Sequence, residues 1–151
     1  MTRRCVVGVG NDFRGDDGVG LEVVRLLRGV VEPEVALHAC EGEPVALIDA
    51  WSDCDKVVLV DAMRSGAPAG TIRKLAAERD PLPPELGRPS THLLGVAEAV
   101  ELARALGRLP REVVVYAIEG ERFDAGTELS PPVAAAAQRV AASIEDELAG
   151  R

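Results

Sequence analysis

Three short segments carry residues able to do chemistry. The first is GVGNDFRGDDG at 8–18, where two glycines and Asn11 lead to the acid doublet Asp16-Asp17. The second is KVVLVD at 56–61, an apolar run that closes on Asp61. The third is STHLLG at 90–95, which holds His92. An acid that follows a buried strand needs a partner, because burying an uncompensated carboxylate is costly. A loop amide could serve, and so could a cation. Two acids and a neutral imidazole together form a ligand set for a divalent transition ion. Three protein ligands leave coordination positions open, as a catalytic site requires.

Each residue also has a plainer reading. Acids at a helix start gain about 0.3–1 kcal/mol from the helix dipole, so the doublet could simply lead into the next helix. One Asp would suffice for that, which leaves a carboxylate to spare. The glycines fit a tight turn in which Asn11 bonds the backbone. They do not complete the dinucleotide fingerprint, whose third glycine position is occupied by Phe13. His92 stands beside candidate cap residues Ser90 and Thr91, where the positive helix end keeps its ring neutral. His38 reads as a packed strand residue.

The elements that must position these residues alternate along the chain. Apolar β-branched runs predict strands at 5–9, 35–40, 56–60 and 112–118, with a further strand at 71–75. Helical periods predict helices at 17–28, 44–51 and 92–106, and a last one opening on Ser130-Pro131. Residues 76–91 are proline-rich and without period, which predicts a loop. The order predicts a mainly parallel sheet with helices on both faces. In such sheets, ligands bind beyond the carboxyl ends of the strands, at the switch point of strand order. If the first and third strands are neighbours there, the doublet and Asp61 face one crevice.

Composition sets the limits. The 151 residues fit a single domain over 1–151, with 47% hydrophobic residues and a net charge of −8. That charge argues against nucleic acid or an anionic membrane as partner. It leaves a basic peptide, a metal ion or a neutral substrate. No apolar stretch has membrane-spanning length, and the apolar run after MTRR is too short for a signal peptide. The three cysteines form no CxxC pair. Together these features predict a cytoplasmic protein without disulfides.

On these motifs the chain resembles the hydrogenase maturation protease family. GVGNDFRGDDG is similar to the family's Gly-x-Gly-Asn segment with its acid pair. VVLVDAMRSGAPAGT is similar to its strand-to-Asp segment and following turn, and THLLG to its His-x-Leu-Gly segment. The resemblance runs nearly the whole length, to the Leu-Ser-Pro start of the last helix. It implies a three-layer α/β/α sandwich, phosphorylase/hydrolase-like, around a mainly parallel five-stranded sheet. It implies an aspartyl-type endopeptidase that removes the C-terminal tail of a nickel–iron hydrogenase large-subunit precursor after nickel insertion. Asp17, Asp61 and His92 would be the metal ligands, gripping nickel supplied by the precursor. Another divalent transition metal could replace it in the isolated protein. Asp16 would be a neighbouring partner or base.

One segment departs from the family. Where it commonly shows Asp-Gly-Gly-Thr-x-Gly after the second strand, this chain reads CEGEP at 40–44. Glu41 or Glu43 is then either a contact for the substrate or an acid at a helix start. The departure keeps a non-catalytic metalloprotein maturation chaperone in view. A receiver-like signalling module is the other alternative, since receivers also set an acid pair and a strand-end Asp around magnesium. In receivers, however, the pair directly follows the strand, and a lysine follows the last strand. Here six residues intervene (10–15) and the last strand leads to IEGERF.

Overall fold

A computed structural model describes residues 2–83 and 95–150. Five strands form one sheet: β1 (Arg4–Val9), β2 (Ala36–Cys40), β3 (Lys56–Met63), β4 (Ile72–Ala76) and β5 (Glu112–Glu119). Their spatial order is β2-β1-β3-β5-β4. The first four in that order run parallel, and β4 lies antiparallel on β5. The antiparallel edge departs from the all-parallel 2-1-3-4-5 order of a receiver. A short connection explains it, because only residues 64–71 link β3 to β4. A parallel return needs a crossover of a dozen or more residues.

Four helices cover the two faces: α1 (Val19–Leu27), α2 (Pro44–Trp51), α3 (Val96–Ala105) and α4 (Pro131–Leu148). Strand alternation sorts the core into two layers. Val58, Val60 and Ala62 pack with α1 and α4. Val57, Leu59 and Met63 pack with α2 and α3. Asp61 has the odd-numbered parity and so belongs to the α2–α3 side. The three-layer α/β/α sandwich is the architecture observed.

The GVG segment serves packing. A Cβ on Gly8 would sit 2.2 Å from the Gly20 carbonyl oxygen, and one on Gly20 would sit 2.3 Å from that of Val60. Helix α1 therefore lies directly on the strands, with no side chain between. Gly10 has φ +148°, and a Cβ there would meet the Asp17 carbonyl oxygen at 1.9 Å. The glycines thus bring the acid doublet back against the end of β1.

Some boundaries differ from the sequence reading. The first helix starts later, at Val19, after a 3-10 turn over Gly15–Gly18. Strand β3 continues past Asp61 to Met63. Helix α3 is described from Val96, so the expected start at 92 lies outside the described residues, as does the second half of the expected proline-rich loop. Among the described residues, no helix is long and apolar enough to cross a membrane. The cysteines Cys5, Cys40 and Cys54 are free.

Candidate active site

The turn over 15–18 packs against β3 and brings the doublet beside Asp61. All three carboxylates are buried, with exposures of 0% for Asp16 and 1% each for Asp17 and Asp61. Their surroundings differ sharply.

Asp61 is the least compensated. Its Oδ1 accepts from the Ala62 amide at 2.8 Å, while its Oδ2 is buried without a partner among the described residues. Burial pushes its carboxyl well above the ordinary carboxylate range, the negative charge of Asp17 pushes it further, and the Ala62 amide opposes both. Asp17 is also raised, first by burial; the Asn11 amide at 3.0 Å and the nearby Arg14 guanidinium oppose the shift. Two like charges thus share one low-dielectric crevice.

Asp16 behaves differently. It accepts from the amides of Glu121 (2.9 Å), Arg122 (3.0 Å) and Ser130 (2.7 Å), and from the Ser130 hydroxyl (2.8 Å). Burial alone would raise its carboxyl, but these bonds outweigh burial and lower it. A carboxylate so engaged is a weak proton acceptor. Its geometry fits an anchor between the loop after β1 and the chain beyond β5, rather than a base. Neither acid caps α1, which has no side-chain cap bond. Ser130 likewise spends its hydroxyl on Asp16 and makes no cap bond to α4. The expected Asn11 turn is present, with the Phe13 amide donating to Asn11 Oδ1 at 2.9 Å.

His92, the third expected ligand, lies outside the described residues. Among the described residues, no group of three His, Cys, Asp or Glu side chains forms a metal site. The donor chemistry nevertheless suits a cation. Asp61 Oδ2 is an orphaned buried acceptor, and both raised carboxylates would be relieved by positive charge. His38 is half-buried on the edge strand β2, in register with Val7. Glu43 is a helix cap: its carboxylate accepts from the Val45 and Ala46 amides at 3.0 and 2.9 Å. Glu41 is exposed beside it.

The sequence reading passed over Glu119. It closes β5 as Asp61 follows the apolar run of β3, and that parallel was the signal. Glu119 is 2% exposed. Its carboxylate accepts from the Ser65 amide (2.9 Å), the Ser65 hydroxyl (2.6 Å) and the Gly66 amide (3.2 Å). Its backbone bonds Gly70 and Thr71, each at 2.8 Å. One residue therefore fixes both ends of the loop that leaves the Asp61 strand.

A family model described as hydrogenase maturation protease matches residues 23–147. The chain belongs to the hydrogenase maturation protease family. Among curated relatives, the hydrogenase expression/formation protein HupD of Thiocapsa roseopersicina is 30% identical over 145 residues, covering 93% of this chain and 63% of the relative. The hydrogenase 2 maturation protease of Escherichia coli is 27% identical over 139 residues, covering 88% and 82%. The chain thus spans less than two thirds of the HupD relative's length. Among solved structures, the NiFe hydrogenase maturation protease HycI of Thermococcus kodakarensis superposes with a TM-score of 0.75 at 29% identity, covering 97% of this chain and 92% of the other. The hydrogenase 2 maturation peptidase of Thaumarchaeota archaeon SCGC_AB-539-E09 gives 0.72 at 25%, covering 97% of both. The mainly parallel five-stranded sheet is that of the hydrogenase maturation proteases.

Proposed function

We propose that this chain is an endopeptidase that removes the C-terminal tail of a nickel–iron hydrogenase large-subunit precursor, with nickel arriving as part of the substrate. One observation carries the reading: the Asp17–Asp61 pair is buried, mutually repelling and left with an unpartnered oxygen. Family membership supports it, because the names of the family and of the Escherichia coli relative describe a protease of hydrogenase maturation.

In this proposal Asp17, Asp61 and His92 grip the nickel carried by the precursor and so recognise a loaded substrate. His92 precedes α3 by four residues in sequence, and α3 packs on the sheet face to which Asp61 belongs. Amide hydrolysis needs polarisation of the carbonyl and an activated water. A bound divalent ion supplies both kinds of chemistry. The chain supplies a dry, acid-lined floor and a fixed geometry. Asp16 holds the loop after β1 against residues 121–130, which keeps Asp17 in place.

The test mixes purified protein with nickel-loaded and nickel-free precursor and follows precursor mass. The expected result is loss of a C-terminal fragment from the loaded form only. Asp17→Ala, Asp61→Ala and His92→Ala should each abolish the loss while remaining folded. Binding of the precursor without any mass change would favour the chaperone reading, and full processing by one of the variants would remove its residue from the site.

A further inference from the structure

Arg64 is an exposed residue of the loop after β3, three positions beyond Asp61. Its guanidinium carbon lies 4.9 Å from the ring centroid of Phe123, which is 6% exposed and belongs to the segment anchored by Asp16. The backbone that follows Arg64 is clamped by Glu119 through Ser65 and Gly66. The arginine is therefore held at its base and at its head.

Three other arginines of the described residues answer to acids. Arg25 pairs with Asp12 and Glu22, Arg104 with Glu101, and Arg4 with Glu32. With 25 acids against 17 basic residues, acidic partners are abundant. Arg64, like most of the described arginines, forms no ion pair among the described residues; its seat against an aromatic ring sets it apart. An immobilised, unpaired guanidinium has already lost much of the side-chain freedom that binding would cost. Near Asp17, Arg14 adds a second unmet donor, since its Nε is buried without an acceptor among the described residues.

We propose that Arg64 is a specificity residue that receives a carboxylate of the substrate's tail, while Asp17 and Asp61 receive the cation. This rests on the peptidase reading and adds a charge requirement to the substrate. The segment bound beyond the nickel carries an acidic side chain or its own terminal carboxylate, within reach of a guanidinium at the rim. A planar guanidinium suits that group, because it can donate two parallel hydrogen bonds to it.

The experiment measures equilibrium binding and cleavage of one nickel-loaded large-subunit precursor by wild type, Arg64→Met and Arg64→Lys. Tail acids are neutralised one at a time (Asp→Asn, Glu→Gln, terminal amide). Met preserves the apolar cover over Phe123, so thermal stability should stay near wild type. Binding should weaken about tenfold, the size of one lost charge-assisted contact, and the loss in cleavage should fall on KM rather than kcat. Lys should recover part of the loss. One tail neutralisation should cost wild type a similar factor and cost Arg64→Met nothing more. Equal binding by Arg64→Met, or an equal loss for every tail, overturns the proposal. A wild-type protein that binds with this charge dependence but never cuts overturns the peptidase reading alone. Cleavage indifferent to Arg64 overturns only the present inference, and a precursor that wild type fails to bind overturns both.

Discussion

Two acidic centres lie in different parts of the molecule and are treated in opposite ways. Near the amino ends of β3 and β5, Glu147 of α4 accepts from Lys56 at 2.8 Å, Lys74 at 2.9 Å and the Tyr116 hydroxyl at 3.0 Å. Burial alone would raise its carboxyl, but the bonds from Lys56, Lys74 and Tyr116 outweigh it and lower it. In the crevice, Asp61 has one amide and a repelling neighbour. The first centre stabilises the fold. The second costs stability and leaves a buried carboxyl that a cation would relieve. Strain retained in one place and relieved in another marks the crevice as the working end.

The contrast predicts opposite outcomes for similar substitutions. Asp61→Asn should lower precursor cleavage by at least about a thousandfold, the scale on which loss of an electrostatic catalytic group acts. The same change should raise stability at pH 7 by roughly 1–3 kcal/mol, because it removes a carboxyl whose ionisation burial and Asp17 both disfavour. Mass spectrometry and urea melts of one preparation check both, and a destabilised Asp61→Asn would contradict the contrast. Gly10→Ala leaves every acid in place but drives a methyl group into the Asp17 backbone. Cleavage should fall about a hundredfold, as for a reacting group displaced by about 1 Å.

Glu147→Gln should do the reverse of Asp61→Asn. It should leave cleavage near wild type and cost roughly 1–3 kcal/mol, read as about 2–4 °C of Tm per kcal/mol in a chain of this size. The smallest effect is in the pH dependence. Raised folded-state carboxyls, as at Asp61 and Asp17, favour folding at low pH and lose that advantage as pH rises through their folded values. The excess stability of Asp61→Asn over wild type should therefore shrink as pH falls from 7 toward the ordinary Asp value of 3.8. Glu147 has the opposite sign: its contribution is full above the ordinary Glu value of 4.5 and fades as pH falls through its lower folded value. Urea melts across pH 2.5–8 on wild type, Asp61→Asn and Glu147→Gln separate the two.

Much of this was legible in the chain because local rules suffice for it. The runs at 5–9, 56–60 and 112–118 form strands because β-branched residues suit a sheet buried on both faces. Pro44 and Pro131 opened helices as expected. The convergence of Asp17 and Asp61 followed from strand order, since β1 and β3 are neighbours. Less legible were features whose partners are distant. The anchoring of Asp16 depends on residues 105 to 114 positions away, whereas the helix-start reading looked only at the residues next to it. The clamp by Glu119 reaches back 53 and 54 positions. The antiparallel course of β4 is set by the short loop that this clamp closes.

The Asp16 anchor also has a consequence for timing. Its oxygens are satisfied by amides at 121, 122 and 130, which leave the ribosome long after the acids themselves. Until residues 121–130 have emerged, the loop carrying Asp17 has only its local bonds to brace it. A nascent chain therefore holds both acids before the brace on the Asp17 loop exists, and that brace is complete only once residue 130 has been made.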